Sequence, residues 1–243
     1  MKTTSKHFVG FWHYGVILTY LSVASAIAGI FLSASYSPGW GVVCLLICGF
    51  CDAFDGTVAK TRKNRTVEDK MFGEQIDSLS DIIAFGVAPI MIGWGMGMRQ
   101  WYFAPIFIVF SLCALVRLGY FNVTEELRIK EGDKGPRTSY EGLPVTNVAI
   151  GLPVFYMVAT MFRDCSEAGL LANKFGFTNV TFAIMGAAYL LIAFLFVFRF
   201  KTPKFRVKGL AVTMVILLVI MFGLLAIQKF LLDYSPVWFF WIK

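Results

Sequence analysis

The sequence predicts an all-α fold, a polytopic membrane helix bundle with about seven transmembrane helices. Of the 243 residues, 58% are hydrophobic and only 15% are charged, with a mean hydropathy of +0.70, which is far too apolar for an ordinary soluble domain. The apolar residues also fall into stretches of about 20, the length that crosses a bilayer as a helix. We therefore expect a single integral-membrane domain over residues 1–243.

Seven apolar stretches are each long enough to cross a bilayer, and polar residues separate them. The longest polar connections are residues 60–71, 124–142 and 164–178. The C-terminal tail, 233–243, is too short to cross, and its aromatic residues are typical of an interfacial anchor. The predicted spans lie near 14–34, 39–60, 75–96, 101–121, 144–162, 179–198 and 209–232.

The distribution of Lys and Arg predicts the orientation of the bundle, because cytoplasmic loops retain these residues. Basic residues crowd the N-terminus and every second connection, within 60–70, 128–137 and 199–208, whereas the opposite side carries few. We therefore expect a cytoplasmic N-terminus, a cytoplasmic turn at 60–71 and an external C-terminus. The same loops account for the net charge of +7 and favour anionic lipid headgroups, so nucleic acid is not an expected partner.

Four aspartates stand at the ends of two apolar stretches, on either side of the polar turn. Asp52 and Asp55 are three residues apart, and Asp77 and Asp81 are four apart, so each pair projects from one helix face. An uncompensated carboxylate at bilayer depth costs about 2.5–3.5 kcal/mol, so something cationic must compensate these acids. If the two helices are antiparallel neighbours, all four acids converge on one pocket that faces the cytoplasm.

Carboxylate oxygens without a nearby histidine suit hard cations such as Mg²⁺, Mn²⁺ or Ca²⁺. Four acids could hold two ions, the arrangement that clamps the attacking and leaving oxygens of a phosphoryl displacement. Two alternatives stay open: the acids could end helices or pair with basic residues of the turn, or they could serve a divalent-cation transporter. A transporter relay would spread its acids across the bilayer, whereas these four cluster at one edge.

The same residues carry a family motif. The pattern D-x-x-D-G-x-x-A-R, a spacer and G-x-x-x-D-x-x-x-D is that of the CDP-alcohol phosphotransferases, which this chain resembles and whose core is a bundle of six helices. Lys60 stands where arginine is usual, and twelve residues, 61–72, separate it from Gly73 where eight are common. The four extra residues amount to about one helical turn. The motif residues are Asp52, Asp55, Gly56, Ala59, Gly73, Asp77 and Asp81.

The flanking sequence resembles the branch of this family that uses serine as the acceptor alcohol. The similar strings are 72–73, 77–81, 84–89, 117–122 and 142–146, so the resemblance runs from about 50 to 147. It implies transfer of a phosphatidyl group from CDP-diacylglycerol to the hydroxyl of L-serine, with release of CMP. Glycerol phosphate, inositol phosphate and choline stay open as other acceptors within the family.

The resemblance also implies roles for the motif residues. Divalent ions, two Mg²⁺ or Mn²⁺ per active site, would be held by Asp52, Asp55, Asp77 and Asp81. Asp81 would in addition be the catalytic base for the serine hydroxyl. The nucleotide and its diphosphate would bind at Asp52, Gly56, Ala59, Lys60 and Gly73.

Serine brings a carboxylate and an ammonium to the site, and both need polar partners. Arg117, at the end of the fourth predicted span, is the first candidate for the carboxylate and Arg137 the second, because a guanidinium binds a carboxylate through two parallel hydrogen bonds. Side chains near the same edge that could hold the ammonium or orient the hydroxyl are Tyr120, Asn122, Tyr140 and Thr146. Alternatively, Arg117 only snorkels and Tyr120 belongs to the interfacial aromatic belt.

The expected partners are therefore CDP-diacylglycerol, L-serine and membrane lipids, and the family resemblance suggests a homodimer. The acyl chains of the lipid substrate can stay in the bilayer while its diphosphate enters the pocket. We expect a multi-pass protein of a prokaryotic plasma membrane, with its active site facing the cytoplasm.

Overall fold

The computed structural model describes residues 10, 14–35, 37–62, 66–131, 139–167, 177–203 and 207–231. Within these ranges it gives the backbone alone at 60, 139–140, 164–167, 177–178, 202–203, 207–208 and 224–231. The described part contains eight α-helices and one short antiparallel ladder. The helices are α1 (Ile17–Ser35), α2 (Pro38–Thr61), α3 (Val67–Asp81), α4 (Ala88–Gly95), α5 (Ala104–Lys130), α6 (Val148–Glu167), α7 (Phe177–Val197) and α8 (Val207–Leu231), and the strands are β1 (Ser139–Glu141) and β2 (Lys201–Pro203).

Six helical segments of the described chain are long and apolar enough to cross a membrane, which confirms the prediction of a polytopic helix bundle. The stretch predicted near 209–232 is also helical, as α8, and its described apolar part is Gly209–Gly223. The ladder adds two three-residue strands to the predicted all-α fold. The six segments are Tyr14–Ser35, Pro38–Ala59, Val67–Gly95, Trp101–Lys130, Val145–Arg163 and Asn179–Val197.

Two helices extend beyond the stretches that hydropathy predicts. α3 begins at Val67 rather than near 75, and α5 continues to Lys130 rather than ending near 121. Ion pairs support the extended end of α5, where Lys130 lies 2.8 Å from Glu126. Hydropathy reports the apolar part of a helix, so it misses turns that polar contacts add at the ends.

α1 and α2 pack closely because small residues face one another along the pair. A Cβ atom on Gly29 would lie only 2.8 Å from the Cβ of Cys44, and one on Gly41 would lie 1.8 Å from the Oγ of Ser33. Such contacts are too short for any side chain, so the two backbones approach as only glycine allows. The start of α1 therefore lies beside the end of α2.

α3 and α4 are joined by a π-helical turn, Ile82–Val87, which follows the last residue of α3 directly. The N–H of Ala88 donates to the carbonyl five residues back, the bond that defines a π-helix. Pro89, the next residue, has no N–H to donate. Ser111 of α5 donates its hydroxyl to the Gly86 carbonyl at 2.8 Å, which holds the turn against α5.

Tyr189 of α7 holds α4 from another side. Its hydroxyl donates to the Pro89 carbonyl at 2.6 Å and accepts from the Gly93 N–H at 3.2 Å. The rings of Phe107 and Phe110 stand edge-on to it, with centroids at 5.3 and 5.2 Å. α4, α5 and α7 therefore meet at a buried tyrosine, in a core that also includes Phe85, Leu152, Tyr156, Met185 and Phe196.

The segment after β1 is fixed to the end of α7. Gly142 has φ = +76°, a conformation that favours glycine, and its N–H donates to the Phe200 carbonyl at 2.7 Å. The Leu143 N–H donates to the Leu195 carbonyl at 3.1 Å. The ladder pairs Ser139 with Pro203, Tyr140 with Thr202 and Glu141 with Lys201. The segment then continues into the 3₁₀ turn Val145–Asn147, which leads directly into α6.

Replacing Tyr189 by phenylalanine keeps the ring and removes the hydroxyl, so a buried carbonyl and a buried N–H each lose a partner. We expect the free energy of unfolding to fall by about 1–3 kcal/mol, measured as a lower midpoint of thermal unfolding in detergent. Tyr102→Phe is the control, because the Tyr102 side chain is 52% exposed. A midpoint equal to that of the unsubstituted protein would show that the hydroxyl does not hold α4.

Candidate active site

The structure brings the four aspartates together, two from α2 and two from α3. Asp52, Asp55 and Asp77 each offer a carboxylate oxygen, and these three oxygens lie within 4.8 Å of one another. The Asp81 carboxyl lies beside that of Asp52, and the Asp55 carboxyl lies beside that of Asp77. All four side chains are half-buried. The cluster thus forms between two neighbouring helices, as the spacing of the residues predicts.

Carboxylates this close to each other repel unless a cation or protons intervene. Two unit charges 4 Å apart interact by about 4 kcal/mol at an effective dielectric constant of 20. The donor set consists of hard oxygens, which Mg²⁺, Mn²⁺ and Ca²⁺ prefer. Asp55 also accepts a hydrogen bond from the Gly56 N–H, which fixes the orientation of its carboxylate. This acidic group could therefore bind a metal ion.

An ion pair at the turn between α2 and α3 sets the start of α3. Nη2 of Arg62 lies 2.9 Å from a carboxylate oxygen of Asp69, whose side chain is only 3% exposed. Asp69 also accepts from the Thr66 N–H at 3.2 Å, while its own N–H donates to the Thr66 hydroxyl at 3.1 Å. α3 therefore begins at a capped and charge-paired point beside the end of α2.

The polar turn between α2 and α3 is shorter than the sequence predicts. The sequence predicts a polar turn over residues 60–71, but α3 already begins at Val67. The reason is the capping box at Thr66, which stabilises a helix start that hydropathy does not report. That four extra residues, close to one turn of 3.6, leave the direction of Asp77 and Asp81 unchanged stays a prediction.

A cavity of about 210 Å³ opens beside the acids, between three helices. Gly56, Ala59 and Gly73, all predicted to line a nucleotide site, border it together with Asp55 and Asp77. A Cβ atom on Gly56 would meet no protein atom within 4 Å, so this glycine faces open space. The other lining residues are Gly15, Val16 and Thr19 at the start of the chain's first span and Lys70 and Glu74 on α3.

Sequence reasoning missed two groups of cavity-lining residues: the wall that Gly15, Val16 and Thr19 of the first span form, and the charged pair Lys70 and Glu74 on α3. The wall carries no charged side chain and lies far from the motif in sequence, so no local pattern identifies it. The Ser80 hydroxyl donates to the Thr19 carbonyl at 3.4 Å, which connects α1 to α3. Lys70, by contrast, is three residues before Gly73 and seven before Asp77, which places all three on one face of a helix. This spacing is informative only once α3 is known to begin at residue 67.

Two predicted serine ligands near the end of α5 have partners in the structure. Asn122 donates its side-chain amide to the Ser78 hydroxyl at 2.9 Å, and Ser78 is the neighbour of a cluster aspartate. The Tyr120 hydroxyl donates to Glu141 Oε2 at 2.7 Å and accepts from Arg199 at 3.2 Å. Asn122 therefore lies at the edge of the acidic cluster, whereas Tyr120 belongs to a separate polar contact with β1.

Arg117 is buried, with 5% of its surface exposed. Its Nε donates to the Leu143 carbonyl at 2.8 Å, and Nη2 donates to the Gly142 carbonyl at 3.4 Å. A snorkelling arginine would extend to water, so that alternative does not describe Arg117. The guanidinium instead connects α5 to the segment after β1.

The remaining predicted residues are described in part. Thr146 is half-buried in the 3₁₀ turn that precedes α6. Lys60 lies at the end of α2 and Tyr140 lies in β1, but only their backbones are described. Arg137 lies outside the described residues.

A family model of CDP-alcohol phosphatidyltransferases matches residues 12–171, the segment that holds the aspartates and the cavity. The chain is 36% identical over 141 residues to a CDP-diacylglycerol–serine O-phosphatidyltransferase of Saccharomyces cerevisiae. The aligned segment covers 57% of this chain and 45% of that protein. It is 29% identical over 159 residues to an archaetidylserine synthase of Methanothermobacter thermautotrophicus, covering 64% of this chain and 62% of that protein.

A third relative is a CDP-diacylglycerol–serine O-phosphatidyltransferase of Bacillus subtilis, 36% identical over 136 residues, covering 54% of this chain and 70% of that protein. The chain thus spans between 45% and 62% of the length of the yeast and archaeal relatives.

Replacing Arg62 by methionine keeps the length of the side chain and removes the charge that faces Asp69. Because the Asp69 carboxylate is almost fully buried, we expect a loss of about 3 kcal/mol in the free energy of unfolding, seen as a lower thermal midpoint in detergent. The control is Lys130→Met, which breaks a pair whose side chains are 67% and 68% exposed and should leave the midpoint close to that of the unsubstituted protein. Equal midpoints for the two variants would contradict a structural role for the Arg62 pair.

Proposed function

The chain belongs to the CDP-alcohol phosphatidyltransferase family, and we propose that it acts within this family as a CDP-diacylglycerol–serine O-phosphatidyltransferase, a phosphatidylserine synthase. The proposed reaction transfers the phosphatidyl group of CDP-diacylglycerol to the hydroxyl of L-serine and gives phosphatidylserine and CMP. Family membership supports a nucleotide-linked donor. The names of the yeast, archaeal and bacterial relatives, each of which contains serine, support the acceptor.

The acidic cluster beside the cavity is the observation that carries this proposal. Bound divalent ions, two Mg²⁺ or Mn²⁺ per site, would neutralise the diphosphate and stabilise the departing CMP. Asp52, Asp55 and Asp77 would hold these ions, because among the described residues their oxygens form the group that could hold a metal. The cavity beside the cluster would then receive the nucleotide.

Asp81 is the proposed catalytic base and a further ligand. It lies beside Asp52 and outside the group of three oxygens, so it is the acid of the cluster to which we assign the hydroxyl proton. The serine oxygen attacks the phosphorus of the phosphatidyl group as Asp81 takes the hydroxyl proton. The bond from that phosphorus to the bridging oxygen of CMP breaks, and CMP leaves with this oxygen and the electron pair.

The wall between α2 and α3 is the proposed site of the nucleotide and its diphosphate. Gly56, Ala59 and Gly73 leave room there for a ligand to approach the backbone. Asp52, a further proposed contact, precedes Gly56 by about one turn of α2. Lys60, at the end of α2, would direct its charge to the diphosphate as a point charge rather than as the planar fork of an arginine.

The serine subsite is proposed along the C-terminal half of α5. The bond from Asn122 to Ser78 supports a role for Asn122 in orienting the serine hydroxyl or ammonium. For the serine carboxylate, Arg117 and Arg137 remain the proposed ligands. Two of the five N–H donors of Arg117 bind the backbone after β1, so this arginine would also position the chain that leads to Thr146. Tyr120 and Tyr140 remain proposed ligands at the same edge.

The surroundings of the site are also proposed from the sequence. Lys and Arg are concentrated on the side of the membrane that carries the turn between α2 and α3, which supports an active site that faces the cytoplasm. The six apolar segments of this multi-pass membrane protein would let the acyl chains of the donor stay in the bilayer. A homodimer and a prokaryotic plasma membrane stay predictions.

Purified protein supplied with CDP-diacylglycerol and Mn²⁺ or Mg²⁺ should release CMP when L-serine is added, and EDTA should abolish this turnover. Glycerol phosphate, inositol phosphate and choline, offered in parallel, test the choice of acceptor. CMP release with one of these alcohols instead of serine would assign a different acceptor. Flux of a divalent cation across sealed vesicles without CMP release would favour a transporter.

Asp81→Asn keeps the shape of the side chain and removes the proton acceptor. We expect kcat to fall by about 10²–10⁴-fold, while the protein stays folded and still binds Mn²⁺ through the other three aspartates. Glu126→Gln is the matched control, because it removes one exposed carboxylate from α5, away from the cavity. Full activity of Asp81→Asn would show that the proposed base role is wrong.

A further inference from the structure

Two charged residues on α3, Lys70 and Glu74, line the cavity and have no role in the reaction described above. Nζ of Lys70 lies 3.7 Å from Oε1 of Glu74, and each side chain is 59% exposed. The pair is therefore loose, open to water and able to exchange partners with a ligand in the cavity. Lys70 lies in the first turn of α3, within the spacer of the motif.

The pair lies on the part of α3 that precedes the acids, with Glu74 about one turn and Lys70 about two turns before Asp77. Seven residues separate Lys70 from Asp77, which is about 10 Å along a helix at 1.5 Å per residue. Gly73 lies between them and leaves the wall without a side chain. A nucleotide whose diphosphate lies at the acids could extend along this wall and bring the edge of its base to Lys70 and Glu74.

The chemistry of the pair fits a base better than a second phosphate. The Glu74 carboxylate would repel a phosphate that approached Lys70, and together the two side chains carry no net charge. The edge of cytosine presents an amino group that donates, beside a ring nitrogen and a carbonyl that accept. Glu74 can accept from the amino group while Lys70 donates to the ring nitrogen or the carbonyl. Uracil carries a carbonyl where cytosine has the amino group, so Glu74 would face an oxygen.

We propose that Lys70 and Glu74 form the site that selects cytosine over uracil in the nucleotide of the lipid donor. The inference rests on the proposed function, because it takes the cavity to be the nucleotide site. On binding, the two side chains exchange part of their contact with each other for contacts with the base. Selection then depends mainly on Glu74, since Lys70 can donate to either pyrimidine.

The test compares the binding of CDP and of UDP by calorimetry, in detergent with Mn²⁺ present. Because a hydrogen bond to a charged group accounts for about tenfold in affinity, we expect the unsubstituted protein to bind CDP at least about tenfold more tightly than UDP. The amide of a glutamine can accept or donate, so Glu74→Gln should reduce this preference to about threefold or less. Lys70→Ala should weaken both nucleotides, and Lys70→Arg should restore most of the affinity.

Glu126→Gln provides the matched control on α5. Its partner Lys130 is also four residues away, with Nζ and Oε1 2.8 Å apart, and both side chains are similarly exposed. This variant should leave the two affinities unchanged. A protein that binds CDP but keeps its full preference over UDP in Glu74→Gln would overturn the inference and leave the proposed function standing. Failure of the unsubstituted protein to bind CDP at all would count against the proposed function itself.

Discussion

Negative charge held between two helices at the edge of an apolar bundle is the constraint on which the rest of the structure depends. The oxygens of Asp52, Asp55 and Asp77 lie within 4.8 Å of one another, so the helices that carry them would separate if nothing else joined them. Three contacts resist this separation: the tight glycine packing of α1 on α2, the bond from Ser80 to α1, and the ion pair of Arg62 with Asp69. The bundle thus keeps this acidic group assembled at the expense of its own electrostatic energy, a common property of functional sites.

Sequence reasoning located the acidic cluster because carboxylates in apolar helices are costly and therefore informative. Spacing alone then placed each pair on one face, and Gly56, Ala59 and Gly73 beside them, as the structure shows. These features are local: each can be inferred from residues within one or two helical turns. The helical class of the fold followed from composition in the same way.

The parts that sequence reasoning missed depend on contacts between distant segments. The start of α3 at Val67 follows from the capping box and a buried ion pair across the turn, which hydropathy does not detect. The carbonyl contacts of Arg117 exist because Gly142 turns the backbone toward α5, and no pattern of side chains encodes that turn. The wall from the first span is a product of helix packing, so it becomes visible only in three dimensions.

The π-helical turn Ile82–Val87 has a consequence for how this span can evolve. Such a turn accommodates one residue more than an α-helical turn, so it offsets the phase of the two halves of the span by about 100°. Evolution can therefore optimise the direction of Asp81 in one half without disturbing the packing of α4 against Tyr189 in the other. A one-residue deletion at the turn would restore a uniform helix with both halves still facing their partners, whereas a deletion elsewhere in the span would rotate one half by about 100°. One-residue differences in length among homologous sequences should therefore fall at this turn.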